Sequence, residues 1–203
     1  MTVLYIHGFA SSGNTSKVAQ LRDILGEDIL APSLTHNPGP DMKMLMDLVR
    51  NNHIKTVVGS SLGGFYAILL GEYFDLRLIL INPSLEPHKT LVDKLGTVQI
   101  YGSDSTFEWT EQDLEMLSWA AEDVNKSLTP GQSNQTWPNI LCLLSAKDER
   151  LDAKATAEVF SMSHVVIDPD QDHRFSDLSK YADQIRRIAN APSFAGESDQ
   201  IEE

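Results

Sequence analysis

Residues 54–74 read Ile-Lys-Thr-Val-Val-Gly-Ser-Ser-Leu-Gly-Gly-Phe-Tyr-Ala-Ile-Leu-Leu-Gly-Glu-Tyr-Phe, and this stretch decides the fold. Its first six residues are mostly apolar or β-branched, as in a buried strand, and residues 62–74 form an apolar run of helical length. The two runs meet at residues 59–63, which match the pattern G-x-S-x-G. The sequence therefore predicts a buried strand that turns sharply into a buried helix, with Ser61 at the turn.

The two glycines of this pattern have a physical explanation. A serine that projects from the end of a strand sits on a strained turn, and we expect Ser61 to have a positive φ. Gly59 and Gly63 then lie so close together that a Cβ on either would clash. The helix that begins behind Ser61 also favours negative charge that develops there. These features predict that Ser61 is a nucleophile; the alternative is a tight turn without chemistry.

The rest of the chain repeats the alternation of strand and helix. Further apolar runs predict strands at 2–6, 28–31, 77–81, 140–144 and 164–167. Helical spacing predicts helices at 15–25, 41–52, 152–162 and 176–190. Strands that alternate with helices imply crossover connections and a largely parallel sheet, here of about six strands with helices on both faces. The fold class is therefore α/β, with residues 1–190 forming one domain.

Residues 84–137 interrupt this alternation, because they are far longer than one connection requires. Thr110 followed by Asp113 predicts a helix start. The helix that follows carries two apolar stripes, one of Leu114, Leu117, Ala121 and Val124 and the other of Met116, Trp119 and Ala120. Such an element could cover the core with one stripe and face a ligand with the other, as an inserted cap, or it could simply add packing. Residues 191–203 contain four acids and no base, which predicts a disordered tail.

Composition excludes several classes of function. Sixteen Lys and Arg against 29 Asp and Glu give a net charge of −13 over 203 residues, which opposes binding to nucleic acid or to anionic membranes. No run reaches the roughly 20 apolar residues of a membrane helix. The only cysteine, Cys142, excludes an internal disulfide, so we expect a cytoplasmic protein. Phosphate-binding loops and metal-ligand spacings are absent, so we expect neither cofactor nor metal.

A nucleophilic serine needs a general base. His173 follows the last predicted strand, at the carboxyl end where open α/β sheets build their sites. His164 and His53 fall at the opposite edge of the sheet, whereas His88, inside the insertion, stays open. His173 is therefore the predicted base.

The base needs a carboxylate to orient it, and Asp148 follows the strand 140–144. The chain order Ser61, Asp148, His173 is the order of a Ser-Asp-His triad in α/β-hydrolases. Asp168 is the main rival. The other rivals are Glu149, Asp152, Asp170 and Asp172.

The transition state of acyl transfer needs backbone N–H groups that stabilise an oxyanion. We expect these from Leu62, which follows the nucleophile, and from Phe9, in the loop after the first strand. His7 is expected to brace that loop. Phe65 is predicted to form a wall of the substrate pocket.

The chain resembles the α/β-hydrolase superfamily and, more narrowly, the small bacterial YqiA-like esterases. The resemblance rests on motifs spread over about residues 3–190, namely Tyr5-Ile6-His7-Gly8-Phe9, residues 59–66, Ile81-Asn82-Pro83, Lys147-Asp148-Glu149 and Asp172-His173-Arg174-Phe175. It implies that the superfamily's first two strands are missing. It also implies hydrolysis of carboxylic esters, or of acyl thioesters such as acyl-CoA, with a small-molecule acyl compound as the partner. The longer segment 84–137 departs from the small-esterase pattern.

Two other functions fit the same residues. A peptidase or amidase would use the same triad on an acyl–nitrogen bond. A binding protein would keep the fold without catalysis, because a fold alone does not specify activity.

Overall fold

The computed structural model describes residues 2–26, 28–129 and 139–192. Six parallel strands form the central sheet in the order β2-β1-β3-β4-β7-β8, and two further strands, β5 and β6, pair as an antiparallel hairpin. The sheet strands are β1 (Thr2–Ile6), β2 (Asp28–Leu30), β3 (Thr56–Ser60), β4 (Arg77–Ile81), β7 (Ile140–Lys147) and β8 (His164–Asp172). The hairpin strands are β5 (Gly96–Gln99) and β6 (Thr106–Trp109). The α/β class predicted from the sequence is confirmed.

Helices cover both faces of the sheet. They are α1 (Ser16–Leu25), α2 (Pro38–Asn51), α3 (Leu62–Tyr73), α4 (Pro87–Thr90), α5 (Glu111–Leu128), α6 (Ala153–Val159) and α7 (Ala182–Ala189). Helices α1 and α7 share one apolar cluster with the sheet, whereas α2, α3 and α5 belong to a second cluster on the opposite face. The sheet is therefore buried between two helical layers.

Alternation along the strands explains the two clusters. In β1, Val3 and Tyr5 belong to the cluster of α1 and α7, whereas Leu4 and Ile6 belong to the cluster of α3. Successive side chains of a strand point to opposite faces, so a strand that is apolar at every position needs a partner layer on each face. Cys142 of β7 is fully buried in this core, where burial raises the pKa of its thiol.

The insertion contains the hairpin and α5. Helix α5 begins with a capping box in which Thr110 and Asp113 hydrogen-bond reciprocally, as predicted. Its Leu117, Ala121 and Val124 are buried in the core, whereas Trp119 of the other stripe is 61% exposed. The first stripe therefore packs against the domain. Residues 130–137 of the predicted insertion, and the predicted tail from residue 193 onward, lie outside the described residues.

The structure differs from the sequence-based expectation in the hairpin and in the last strand. The hairpin was not predicted, because its short, half-exposed strands lack the continuous apolar run that identified the strands of the central sheet. The last strand extends to Asp172 rather than ending at residue 167, so Asp168 lies inside it and His173 follows it directly. The added residues, Asp-Pro-Asp-Gln-Asp, have no apolar run that would predict a strand, and the pairing of β8 with β7 contains an irregularity between Ser145 and Lys147.

Helix α3 approaches the sheet so closely that glycine is required at its start. A Cβ on Gly63 would lie 2.1 Å from the carbonyl oxygen of Ile6, and a Cβ on Gly59 would lie 2.3 Å from the carbonyl oxygen of Gly63. Both distances are far below van der Waals contact with backbone that cannot move freely. The glycines of the G-x-S-x-G pattern therefore hold α3 against β1 and β3.

None of the helices in the described residues is long and apolar enough to cross a membrane.

We expect Gly63→Ala to destabilise the protein by about 3 kcal/mol or more, because the new methyl group must displace backbone. Gly26→Ala is the matched control. Gly26 has φ 64° with no atom within 4 Å of an added Cβ. The substitution should therefore destabilise the protein only by the roughly 1–2 kcal/mol that a left-handed conformation costs an alanine. Urea denaturation of both variants gives the two free energies of unfolding. Equal losses would contradict the close packing of α3.

Candidate active site

Ser61 occupies a strained turn between β3 and α3. Its φ is 56° and its ψ is −118°, a conformation that costs on the order of 1–3 kcal/mol for a residue other than glycine. Backbone hydrogen bonds hold the turn in place. The Ser61 N–H donates to the carbonyl of Ile81 at 2.9 Å, and the Ser61 carbonyl accepts from Gly64 at 2.9 Å and from Ser84 at 3.1 Å. The neighbouring strand β4 thus contributes to the strained geometry.

The His173 imidazole lies between the serine and a carboxylate. Its Nε2 lies 3.1 Å from Ser61 Oγ, and its Nδ1 lies 2.8 and 3.0 Å from the two carboxylate oxygens of Asp148. The serine is therefore within hydrogen-bond reach of a base that is itself oriented by an acid. The structure brings together the three residues named from the sequence.

Asp148 is almost fully enclosed, with its side chain 2% exposed. Burial raises the pKa of its carboxyl group. The hydrogen bond with His173 and those from the N–H groups of Arg150 (2.8 Å) and Leu151 (2.9 Å) more than offset that effect, and the net pKa lies below its usual value. The carboxylate is therefore held ionised beside the imidazole.

Each rival carboxylate makes its hydrogen bonds elsewhere. Asp168 accepts from the Tyr181 hydroxyl at 2.6 Å, which, together with other donors, lowers its pKa. The remaining four serve local backbone or ion-pair contacts: Glu149 with the His173 N–H, Asp152 as the N-cap of α6, Asp170 with Lys147, and Asp172 with the Arg174 N–H. Of these six acids, Asp148 is the one hydrogen-bonded to the His173 ring.

The loop after β1 lies directly against the serine. A Cβ on Gly8 would be 3.2 Å from Ser61 Cβ, so this loop meets the serine turn at Gly8, the residue before Phe9. Leu62 is the first residue of α3, and the first N–H groups of a helix have no partner within it. Of the two residues predicted to supply oxyanion donors, Leu62 follows Ser61 directly, and Phe9 follows Gly8; their role as donors stays a prediction.

His7 braces this loop, as predicted, rather than reaching the nucleophile. Its Nε2 accepts a hydrogen bond from the Leu34 N–H at 2.9 Å, and this acceptor role assigns the ring proton to Nδ1. Nδ1 then donates to the carbonyl of Gly8 at 2.8 Å. The ring is fully buried, and burial lowers the pKa of His7 to about 4.

The side chain of Phe9 is anchored by the insertion. Its ring packs edge-on against Trp109 and Phe107 of β6, with centroid separations of 4.9 and 5.4 Å, and against His36 at 6.2 Å. Phe65, predicted as a pocket wall, is fully buried in the core. Phe9 therefore links the loop after β1 to the hairpin, whereas Phe65 offers no surface to a bound molecule.

The turn of the hairpin contacts both the loop after β1 and the segment that carries His173. The Tyr101 N–H donates to the carbonyl of Ala10 at 2.7 Å, next to the oxyanion loop. The guanidinium of Arg174, the residue after His173, lies 5.0 Å from the centroid of the Tyr101 ring. Sequence reasoning missed Tyr101 because the hairpin itself was not recognised.

Asn82 was also missed as a site residue, although it stood in the motif Ile81-Asn82-Pro83. It follows β4 with φ 42°, and its buried side chain hydrogen-bonds to Ser145 and to the carbonyl of His173. A polar amide directly after the apolar run of residues 78–81 was the signal that could have found it. Within the described ranges, no group of three or more His, Cys, Asp or Glu side chains could hold a metal ion.

Comparison with known proteins places the chain in a family. A family model described as "Uncharacterised protein family (UPF0227)" matches residues 2–190. The chain belongs to the UPF0227 family. A UPF0227 protein of Shewanella sp. strain MR-4 is 28% identical over 193 residues, covering 91% of this chain and 97% of the relative. YcfP of Salmonella paratyphi A is 25% identical over 193 residues, covering 91% and 96%. The YqiA-like resemblance is confirmed.

Solved structures share the fold of this UPF0227 member. A monoacylglycerol lipase from Paleococcus ferrophilus aligns with a TM-score of 0.66 at 13% identity, over 92% of this chain and 91% of that one. The methylesterase MES16 from Arabidopsis aligns with a TM-score of 0.60 at 16% identity, over 92% and 98%. These likenesses confirm the α/β-hydrolase fold.

We expect the protein to lose stability as pH falls from about 6.5 toward 4. His7 keeps a pKa near 6.5 when unfolded but about 4 when folded. Between these two pH values the unfolded state binds a proton at His7 that the folded state does not bind. This difference lowers the free energy of unfolding by up to about 3 kcal/mol.

His7→Gln isolates this contribution, since a glutamine oxygen can accept from Leu34 and does not titrate. Urea denaturation at several pH values should give a shallower acid loss for the variant than for wild type. Identical slopes would show that His7 is not the titrating group.

Proposed function

We propose that this protein is a serine hydrolase that cleaves carboxylic esters or acyl thioesters through an acyl-enzyme intermediate. One observation carries the proposal: a continuous hydrogen-bonded chain from Asp148 through His173 to Ser61, which ends at a serine held with positive φ at the start of a helix. A turn that only reversed the chain would need neither the strain nor the imidazole.

The geometry supports a specific order of proton transfers. Ser61 Oγ attacks the acyl carbonyl while His173 Nε2, 3.1 Å away, takes the hydroxyl proton. Asp148 stabilises the imidazolium that forms and fixes the tautomer with the proton on Nδ1. The tetrahedral intermediate collapses, and His173 returns the proton to the leaving oxygen or sulfur. Water, deprotonated by the same nitrogen, then attacks the acyl-serine. The bond to Ser61 Oγ breaks, His173 returns the proton to that oxygen, and the acid is released.

The oxyanion would bind the backbone N–H groups of Phe9 and Leu62. Leu62 is the first residue of α3, so the helix dipole also favours negative charge at this point. Gly8 permits the close approach of the Phe9 loop to Ser61. The bracing by His7 and the aromatic contacts of Phe9 would keep this donor in place before the substrate arrives, which is where an oxyanion hole gains its effect.

The choice of ester or thioester over amide rests on two supports. The resemblance to YqiA-like esterases points to oxygen and sulfur leaving groups, and the names of the lipase and the methylesterase that share the fold say that those proteins act on esters. The first discriminating experiment is a panel of matched acyl esters, thioesters and amides. Faster cleavage of the amide would transfer the proposal to the peptidase or amidase class.

We expect one phosphonyl group to add to the wild-type protein on incubation with a fluorophosphonate, because His173 activates Ser61. Intact-mass measurement should show the adduct on wild type and none on Ser61→Ala. Absence of labelling on the folded wild type would contradict the proposal and favour a binding protein without catalysis.

A second prediction separates the two candidate acids. Asp148→Asn should lower kcat by roughly a thousandfold or more, because the amide disturbs the tautomer and charge of His173. Asp168→Asn is the matched control and should retain activity within a few-fold, since that carboxylate contacts Tyr181 instead. Ester hydrolysis by the two variants gives the comparison, and a larger loss in Asp168→Asn would reverse the assignment.

A further inference from the structure

Asn82 occupies a buried and strained backbone position directly after β4. It is 2% exposed, follows the last residue of β4 and has φ 42°. A non-glycine residue with positive φ is strained, and a buried amide must satisfy every donor and acceptor it carries. A glycine would accept this backbone more readily, so the side chain needs a separate reason.

The hydrogen bonds of the side chain fix its orientation. The amide oxygen accepts from the Ser145 N–H at 2.8 Å, so the nitrogen must face the other way. The nitrogen donates one hydrogen to Ser145 Oγ at 2.8 Å. The second hydrogen is shared between the carbonyls of His173 (3.1 Å) and Asp172 (3.3 Å). All donors and acceptors of the amide are therefore engaged.

These contacts join the segments that carry the triad. The link to the His173 carbonyl restrains the backbone of the base itself. The link to Ser145 restrains the end of β7, where the Asp148 N–H donates to the Ser145 carbonyl at 3.2 Å. Two nearby residues reach the third part of the site, because Ile81 and Ser84 hydrogen-bond to the backbone of Ser61. The segment 81–84 thus contacts all three parts of the site.

We infer that Asn82 is a positioning residue, which sets the distance between His173 and Ser61 by holding the carbonyl of His173. This role rests on the proposed hydrolase function of the site. Asn82 touches neither the reacting atoms nor the imidazole, so its effect should fall on the rate of the chemical step rather than on substrate affinity.

Asn82→Gly removes the side chain while relieving the backbone strain. Its matched control is His53→Gly, since His53 also has a positive φ (50°) but is exposed at the end of α2, away from the site. The rate of fluorophosphonate labelling at Ser61 should fall on the order of 100-fold in Asn82→Gly, because small displacements of catalytic groups have effects of this size. His53→Gly should label at the wild-type rate. With an ester substrate, kcat should fall while KM stays within a few-fold.

A spectroscopic measurement tests the same role without any reaction. The Nδ1 proton of His173, hydrogen-bonded to Asp148, should give a low-field proton NMR signal in wild type that is absent in Asp148→Asn. We expect this signal to shift or broaden in Asn82→Gly and to stay unchanged in His53→Gly. If wild type fails to react with the fluorophosphonate, the proposed function fails, but the NMR comparison still decides whether Asn82 positions His173.

Two further variants make the test specific. Ser145→Ala removes one acceptor of Asn82 but keeps the link to His173, so its labelling rate should remain within about fivefold of wild type. If Asn82→Gly does not fold, Asn82→Asp replaces it, because a carboxylate keeps the oxygen for the Ser145 N–H but has no donor for the His173 carbonyl. It should show the same loss. Wild-type labelling and an unchanged NMR signal in a folded Asn82 variant would overturn the inference, as would an equal loss in Ser145→Ala.

Discussion

The strained backbone of Ser61 is the constraint on which the rest of the structure depends. A serine with φ 56° persists only where its surroundings leave it no alternative. Here the close approach of Gly63 to β1 and the hydrogen bonds to Ile81 and Ser84 supply that enforcement. The buried parallel sheet is therefore more than a scaffold, because its rigidity keeps the nucleophile in a conformation that an isolated turn would abandon.

Electrostatics around the site follow from burial. Asp148 is enclosed yet stays ionised because three donors compensate the loss of water. His7 is also buried but stays neutral, because burial lowers its pKa to about 4 and its Nε2 accepts a hydrogen bond from Leu34. Asp148 is thus held charged and His7 uncharged, because their surroundings differ. The hairpin of the insertion adds to this arrangement by packing Phe9 in an aromatic cluster.

Much of this could be predicted from the sequence because the informative signals were local. The apolar strands, the glycines around Ser61 and the capping box at Thr110 each depend on neighbours in the chain. The hairpin could not be predicted in this way, since its short strands are stabilised by contacts with Phe9 and Ala10 from a distant segment. The role of Asn82 was hidden for the same reason, because its partners lie 63 and 91 positions away.

The separation of the triad along the chain also has a consequence for folding. Ser61 and His173 are 112 positions apart, and β7 and β8, which precede Asp148 and His173, pair at the far side of β4. In a partly folded chain in which only β1 to β4 have paired, the turn of Ser61 can form, but neither His173 nor Asp148 is yet beside it. Reactivity of Ser61 therefore reports the pairing of β7 and β8 with the rest of the sheet, so during refolding it should return only after those two strands have docked.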